Sequence, residues 1–396
     1  MIWLSIVGRA ASAPPRYTQT MPPIEIVAAE KGKAWREFID LPYRLHGKLP
    51  HFVPPLRREH RELFDRARHP FFRHADGALF LARRAGRPVG RIEAVVNHAH
   101  NQFYNDRVGF FGGFECENDR EAADALLDCA ARWLAARGMH VMRGPATHST
   151  NEECGLLIEG FDEPPMIGMP YNPPYYATLL EGFGLAKVKD LYAWEVRAAG
   201  QTIPEKIRRV AEIVRKNTGV IVRQVNFADY AAEIRRAMAV YNAAWIRNWG
   251  FVPLTEAEFT HAARQLRPLL ERQPQGTMVA EVDGRPVAFC LALLDVNQAL
   301  ARVRDGRLFP FGFWRLLRGL KRIDQARIMA LGILPEFRHR GVDALLYFEL
   351  LSLGERLGLR RGEMGWTLED NRTMNRALLM GARHHKTYRL YDVALA

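Results

Sequence analysis

Cysteine is scarce in this sequence and follows no pattern. The chain has four cysteines in 396 residues, and no two of them form a Cys-x-x-Cys pair or another metal-binding spacing. This excludes a disulfide framework and a zinc ribbon, and we expect free thiols in a reducing compartment. The four are Cys116, Cys129, Cys154 and Cys290.

The amino terminus lacks a long apolar run. Its apolar stretch of six residues is too short for a secretory signal or a membrane-spanning helix. We interpret residues 1–23 as a disordered leader, in which Met21 is an alternative start. The protein is therefore expected in the cytoplasm.

Lysine is rare although the chain is basic. Only 9 of the 56 basic residues are lysine, so arginine supplies 47, and the net charge is +12. A balance of this size favours anionic partners such as phosphate groups, nucleic acid or a lipid surface. The excess of arginine also has an explanation in codon composition, which weakens the argument from charge alone.

The length of 396 residues predicts two domains, and an internal repeat divides the chain. A Gly-Arg-Pro-Val tetrad begins at Gly86 and again at Gly284, an offset of 198. Two similar segments end at Tyr192 and Tyr391, an offset of 199. Two matches at nearly one offset indicate two copies of one α/β unit.

A third match locates an insertion. The sequence Asp-Ala-Leu-Leu occurs at 124–127 and 343–346, an offset of 219, so about twenty extra residues precede the second occurrence. We predict a boundary near residue 200, with one unit over 24–200 and the other over 201–396.

The second unit shows a regular order of elements. Hairpin signals are followed by a central strand, a helix, a strand, a short helix and a last strand. The predicted ranges are 277–282, 287–294, 326–334, 341–357, 362–368, 371–381 and 384–393.

A basic turn joins the central strand to its helix. Arg338, His339, Arg340 and Gly341 stand immediately before the helical pattern. The first N–H groups of a helix have no internal acceptor and the helix dipole is positive there, so such a turn can hold a pyrophosphate. A solvated basic turn explains the same residues.

This order of elements resembles the GCN5-related N-acetyltransferase (GNAT) superfamily. The family's Gln/Arg-x-x-Gly-x-Gly/Ala signature matches the turn from Arg338 to Asp343, a later Asn matches Asn371, and a closing Gly matches Gly381. The resemblance implies an α/β fold of the α+β type, with two tandem GNAT-like domains, each a mixed, mainly antiparallel sheet flanked by helices. It implies acyl-CoA as co-substrate, with no metal and no other cofactor. The donor-binding residues that it implies are Ile333, Leu334, Arg338, His339, Arg340, Gly341 and Val342.

Two positions depart from the family pattern. Asp343 stands where the family has Gly or Ala, and Leu378 stands where many members have a Tyr that acts as general acid. Both departures favour an alternative in which the protein is a catalytically inactive acyl-CoA or lipid sensor. Gly341→Glu is expected to block acyl-CoA binding while leaving the fold intact.

Candidate catalytic residues follow the turn. An amine needs a base before it attacks a thioester, and Glu369, Asn371 and His384 lie near the expected reaction centre, with Glu363 as a reserve. A solvated carboxylate, a local Asx-type bond and a core histidine are the structural alternatives for the first three.

The first unit has no Arg-x-x-Gly turn. Its acidic segment 115–121 would repel a pyrophosphate, so we expect this copy to have lost the donor site and to shape the acceptor pocket. The long loop 144–176 is rich in proline and aromatic residues, which predicts an ordered functional loop or a rigid structural one. The predicted acceptor-binding residues are Tyr171, Asn172, Tyr175 and Tyr176.

The inserted segment mixes aromatic and basic residues. Over 307–323 this composition suits the surface of an anionic membrane. A surface helix with a core-facing stripe is the alternative.

The whole-length pattern, including "ECGLL", "MPYNPPYY" and "LEDNRTMNRAL", resembles a family of bacterial double-domain acyltransferases, the bacterial ceramide synthases. That resemblance implies transfer of a long-chain acyl group from acyl-CoA to the amine of a long-chain base. A small-molecule or peptide N-acyltransferase, including Fem-like aminoacyl transfer from tRNA, is the alternative. Nucleic acid is not expected as a partner in the first interpretation.

Overall fold

The fold is seen in a computed structural model that describes residues 21–197, 203–379 and 381–396. Most of the predicted leader and the join near residue 200 lie outside these ranges. The strands are β1 (Ile24–Ala28), β2 (Ala75–Arg84), β3 (Arg87–Asn97), β4 (Val108–Cys116), β5 (Val141–Gly144), β6 (Leu156–Glu159), β7 (Ala186–Arg197), β8 (Ile221–Gln224), β9 (Thr277–Val282), β10 (Arg285–Leu294), β11 (Gln325–Ile333), β12 (Arg361–Leu368) and β13 (Arg383–Ala394). The helices are α1 (Gly32–His46), α2 (Arg57–Phe64), α3 (His98–Tyr104), α4 (Arg120–Ala135), α5 (Tyr175–Phe183), α6 (Glu205–Asn217), α7 (Tyr230–Trp245), α8 (Glu256–Arg272), α9 (Asn297–Leu300), α10 (Gly312–Leu320), α11 (Val342–Arg356) and α12 (Arg372–Leu379).

The two Gly-Arg-Pro-Val tetrads begin in identical hairpin turns. In the first turn Ala85 has φ 50° and Gly86 has φ 74°, and in the second Asp283 and Gly284 have the same two values. Two consecutive residues with positive φ form the type I′ turn, whose twist matches that of the flanking strands. The repeat predicted from the sequence is therefore confirmed in the backbone.

All the strands belong to one sheet. Its order is β1-β2-β3-β4-β5-β13-β7-β12-β11-β10-β9-β8, and β6 pairs with β13. Pairing is antiparallel except for β4 with β5 and β11 with β12, the same position in each copy. The predicted fold class, a mixed and mainly antiparallel sheet flanked by helices, is confirmed.

The last strands of the two copies are exchanged. Strand β7 ends the first copy but pairs with β12 of the second, and β13 ends the second copy but pairs with β5 and β6 of the first. The two exchanged strands also pair with each other, with Tyr192 opposite Thr387. The boundary near residue 200 stays a prediction, and each copy obtains a central strand from the other.

Separate apolar clusters lie under the two ends of the sheet. In the first copy α4 and α5 cover it through a cluster that includes Leu126, Leu127 and Tyr176. In the second, α6 and α11 cover it through Val214 and Leu346. Within the described residues, no helix has the length and apolar content that crossing a membrane requires.

Because of the strand exchange, neither copy should fold alone. Produced as separate chains, residues 1–200 and 201–396 are expected to lack a cooperative unfolding transition, since each leaves sheet edges unpaired. Co-expression should yield a 1:1 complex that unfolds cooperatively. Calorimetry and sedimentation of the three preparations test this, and two fragments that are each monomeric and cooperatively folded would contradict it.

Candidate active site

Strands β11 and β12 pair for only part of their length. Their parallel ladder runs from Gln325 and Arg361 to Ile328 and Met364. Beyond it β11 follows β10 to Ile333, while β12 follows β7. The two strands therefore diverge into a wedge in the middle of the sheet, and residues 328–331 of β11 remain partly exposed there.

The helix that follows β11 presents an uncapped amino terminus. Gly341 is the N-cap residue of α11 with φ +78°, and no side chain caps the helix. Arg338, His339 and Arg340 are exposed in the preceding turn, and Asp343 is exposed in the first helical turn. Free N–H groups, the helix dipole and neighbouring arginines form an end that can accept an anion.

The corresponding helix of the first copy is closed by its own chain. The Asp119 carboxylate caps α4 by accepting from the Ala122 N–H at 3.1 Å. The Arg84 guanidinium in turn donates to Asp119 at 2.8 and 3.0 Å. A carboxylate of the protein thus takes the place that an anionic ligand would need.

The wedge of the first copy is also filled. The backbone N–H of Ala146 donates to the Phe111 carbonyl of β4 at 2.8 Å. The close approach leaves no room for a side chain at Gly112, where a Cβ would collide with the Ala146 carbonyl. Residues 146–155 form a tight hairpin in this wedge, closed by the bridge between Ala146 and Cys154.

Packing at Gly341 corrects one expectation. A Cβ at this position would lie 2.7 Å from Cγ2 of Val214 and 3.1 Å from Cγ1 of Val210, both on α6. Any L-residue would also be strained at φ +78°. The expectation that Gly341→Glu leaves the fold intact is therefore wrong, because helix α6 packs against the turn.

The other predicted donor-binding residues differ in whether the protein itself already engages their side chains. Arg338 donates to the Ala244 carbonyl at 2.6 Å and to the Ile333 carbonyl at 3.3 Å, so it fastens the turn to α7. The Arg340 guanidinium lies 5.2 Å from the Phe337 ring and is exposed. Leu334 and Val342 are buried. Arg340 and His339 are thus the residues of the turn that can meet a ligand without losing such a contact.

Glu369 has partners for both carboxylate oxygens. The Lys187 ammonium donates to Oε2 at 2.7 Å, and the Asp190 N–H donates to Oε1 at 3.2 Å. Asn371 accepts from the Met374 N–H at 3.2 Å at the start of α12. These contacts fix β12 and α12, and the catalytic roles of both residues stay predictions.

His384 lies in an aromatic setting. Its ring is 4.9 Å from the Tyr192 ring and 5.4 Å from the Trp194 ring, and Nε2 is 3.1 Å from the Thr387 hydroxyl. Burial lowers the pKa of His384. A neutral imidazole near neutral pH results, and its role as a base likewise stays a prediction.

The reserve candidate Glu363 belongs to a buried ionic cluster. It is fully buried, lies 3.3 Å from Arg327, and its Oε2 is 2.9 Å from His385 Nε2. Arg327 also donates to the Ile167 carbonyl at 2.7 Å. Lys386 donates to the Glu163 carbonyl at 2.8 Å. This cluster ties the long loop of the first copy to the second copy.

The predicted acceptor residues are mostly used by the fold. Asn172 is buried, accepts from the Leu157 N–H at 2.8 Å and donates to the Leu157 carbonyl at 3.1 Å. The hydroxyls of Tyr175 and Tyr176 donate at 2.8 Å to the Cys116 carbonyl and to Glu115. Acceptor binding stays a prediction chiefly for Tyr171, which is partly exposed and whose ring lies 6.3 Å from His51.

Two carboxylates that the sequence analysis did not single out have raised pKa values. Glu152 and Glu153 are exposed at the end of the hairpin that fills the first wedge. Desolvation by the surrounding protein raises the pKa of both, and together with the Glu115 carboxylate it brings that of Glu153 to about 7.

The same hairpin reaches the second copy. The Thr150 hydroxyl donates to the Gly250 carbonyl at 2.6 Å, and the Asn151 amide donates to the Val252 carbonyl at 2.9 Å. The Tyr241 hydroxyl is 3.3 Å from Asn151, and its ring lies 4.6 Å from the Trp245 ring.

Trp245 completes this connection. Its indole lies against the backbone of Gly332, where a Cβ would collide with the ring. Gly332 belongs to the part of β11 that lines the wedge. The hairpin of the first copy is thus joined by direct contacts to the wedge of the second.

Comparison with curated proteins gives a relative along the whole chain. The bacterial ceramide synthase of Caulobacter vibrioides (strain NA1000 / CB15N) is 35% identical over 389 residues, which cover 96% of this chain and 100% of the relative. The chain belongs to the bacterial ceramide synthase family. Protein YghO of Escherichia coli (strain K12) is 35% identical over 365 residues, covering 90% and 92%. No protein-family model matches the chain.

A solved structure supports the fold of this ceramide synthase family member. The tandem GNAT protein from the clavulanic acid biosynthesis pathway superposes with a TM-score of 0.52 at 13% identity, covering 94% of this chain and 99% of that one. The predicted tandem GNAT fold is thereby confirmed. The predicted enzyme class, an acyl-CoA-dependent N-acyltransferase, is confirmed by family membership together with this fold.

No metal-binding group emerges from the described ranges. Among residues 21–197, 203–379 and 381–396, no three His, Cys, Asp or Glu side chains are grouped to hold an ion.

Charge reversal in the exposed turn should weaken acyl-CoA binding in this family member. Arg340→Glu is expected to raise the KM for acyl-CoA roughly 10- to 100-fold with a smaller change in kcat, since a charge-assisted hydrogen bond contributes about 1.5–3 kcal/mol. Arg356→Glu makes the same change at the other end of α11, about 21 Å away along the helix, and should leave KM unaltered. Equal KM values for both variants and the wild type would contradict a phosphate role for the turn.

Proposed function

We propose that the protein transfers a long-chain acyl group from acyl-CoA to the primary amine of a long-chain base, as a ceramide synthase. The observation that carries the donor part is the uncapped end of α11 beside the open wedge of β11 and β12. The lipid part is supported by the relative of 35% identity that is named a bacterial ceramide synthase. Cytoplasmic residence is supported by four free cysteines.

The chemistry assigns distinct tasks to the two copies. The amine nitrogen forms a bond to the thioester carbonyl carbon, the carbon–sulfur bond breaks, and the coenzyme A thiolate leaves. The anion-accepting turn of the second copy would hold the diphosphate of the donor, and the free edge of β11 offers backbone N–H groups for the carbonyl oxygen. The amine must lose a proton before or during the attack.

We assign Glu153 as the base that accepts this proton. Its carboxylate is exposed, and its pKa of about 7 suits proton transfer near neutral pH. Glu369, by contrast, holds a lysine ammonium and a backbone N–H. The hairpin of Glu153 reaches the wedge through Asn151, Tyr241 and Trp245.

Release of free coenzyme A thiol tests the proposed reaction. The purified protein is expected to release thiol from palmitoyl-CoA only when a long-chain amino alcohol is present, and much less from acetyl-CoA. Thiol release that requires a small or peptide amine instead would favour the small-molecule N-acyltransferase. Saturable binding of aminoacyl-tRNA without acyl-CoA binding would favour the Fem-like alternative, and tight acyl-CoA binding without turnover would favour the sensor.

The pH profile tests the assignment of Glu153. A base with a pKa of about 7 must be deprotonated, so kcat/KM should fall about tenfold per pH unit below pH 7. A free alkylamine loses its proton near pH 10. Its own effect on kcat/KM is therefore separated from the change near pH 7. Glu153→Gln should abolish the limb near pH 7 and lower kcat by roughly 10²–10⁴, while the affinity for acyl-CoA is retained.

Two control variants sharpen this test. Burial also raises the pKa of Asp295 to about 7, but its carboxylate accepts from the Ile167 N–H at 2.9 Å and is buried. Asp295→Asn should therefore keep the limb. Glu369→Gln should keep it as well, and loss of the limb in Glu369→Gln but not in Glu153→Gln would return the role of base to Glu369.

A further inference from the structure

An aromatic patch stands out on the surface of the inserted segment. Phe309 is 81% exposed, Phe311 67%, Phe313 41% and Trp314 69%. These four make up the aromatic patch (residues 309–314), and they are four of the eleven large apolar side chains that are exposed in the described residues. Clustered exposure of this kind marks an interaction surface, whereas scattered apolar residues do not.

The aromatic side chains are not the packing face of α10. The residues of this helix that are buried are Gly312 and Gly319, and Gly319 lies where a Cβ would approach Ala299 to 2.8 Å. The helix thus packs closely through its glycines and directs Phe313 and Trp314 outward. The core-facing stripe considered from the sequence does not account for these two residues.

The preceding loop is held firmly against the first copy. The Arg57 N–H donates to the Gly306 carbonyl at 3.0 Å, and the Arg57 side chain donates to the Asp305 carbonyl at 2.8 Å. Val303 is buried. The aromatic patch is therefore displayed from an anchored segment.

Cationic side chains surround the patch. Seven exposed arginines and lysines occur between residues 302 and 322, against one acidic residue, Asp305. The neighbouring ion pairs join Arg57 to Asp40 and Arg360 to Asp324, and none of the seven side chains forms an ion pair within the described parts of the chain. The seven are Arg302, Arg304, Arg307, Arg315, Arg318, Lys321 and Arg322.

We propose that residues 302–322 dock the protein on an anionic lipid bilayer, with the aromatic patch inserted at the headgroup boundary and the seven cations against the lipid phosphates. Aromatic residues flanked by unpaired cations provide both terms of interfacial binding, apolar burial and attraction to anionic lipid. A nucleic acid would use the cations but would not require four exposed apolar rings on an anchored segment. The proposal is independent of the acceptor that the enzyme acylates.

Vesicle co-sedimentation of the full-length protein tests this proposal. Binding is expected to vesicles of phosphatidylcholine mixed with phosphatidylglycerol, to be weaker by at least tenfold with phosphatidylcholine alone, and to decrease as salt is raised. Phe311→Ser with Trp314→Ser should weaken binding at least tenfold. The pair Ile221→Ser and Leu357→Ser removes exposed apolar side chains elsewhere and should have no such effect.

A charge variant and an activity control complete the design. Arg315→Gln with Arg318→Gln should weaken binding to the anionic vesicles and reduce its dependence on salt. Each variant should keep wild-type turnover of a water-soluble short-chain acyl-CoA and amine pair if that pair is a substrate, and wild-type thermal unfolding in any case. A wild-type protein that ignores anionic vesicles, or a Phe311 and Trp314 variant that binds them unchanged, would overturn the proposal. Self-association that these two substitutions abolish, without any vesicle binding, would overturn it in favour of an interface between copies.

Discussion

The exchange of β7 and β13 is the constraint on which the rest of the structure depends. Because each strand completes the sheet of the other copy, the two copies share one continuous sheet instead of meeting through a flexible linker. The long loop of the first copy follows from this arrangement. It is held against the second copy by Lys386 on β13 and Arg327 on β11.

The two copies differ at the amino terminus of the helix between their parallel strands, which is capped in the first copy and uncapped in the second. In each, a helix connects the two strands of the parallel pair, and the first N–H groups of that helix need acceptors. The first copy meets this need internally with Asp119, which Arg84 neutralises. The second copy places Gly341 there with arginines in the preceding turn and has no side-chain cap. The closed and the open site therefore differ in their N-cap residue, in addition to the hairpin that fills the wedge of the first copy.

The periodicity of the sequence predicted seven elements of the second copy to within about two residues at each end, because buried strands and helices carry strong local patterns. The strand exchange could not be predicted. The segments of β7 and β13 have the same hydrophobic pattern, and such a pattern identifies a strand but not the strand with which it pairs. The turn at Gly341 was predicted from a motif, but its packing against Val214 was missed because α6 lies far away in the chain. Glu153 was missed because no spacing distinguishes its carboxylate from that of a solvated turn.

The hairpin at residues 146–155 links the loss of one site to the building of another. By bonding to β4 at Phe111, it occupies the wedge in which the first copy would otherwise admit a donor. The same ten residues include Glu153 and bring Asn151 into contact with Tyr241 of the second copy. A free donor wedge in the first copy would require this hairpin to leave, and the proposed base would leave with it. One segment thus closes the donor wedge of the first copy and supplies the proposed base to the second. The first wedge therefore cannot be opened by moving this hairpin without removing that base.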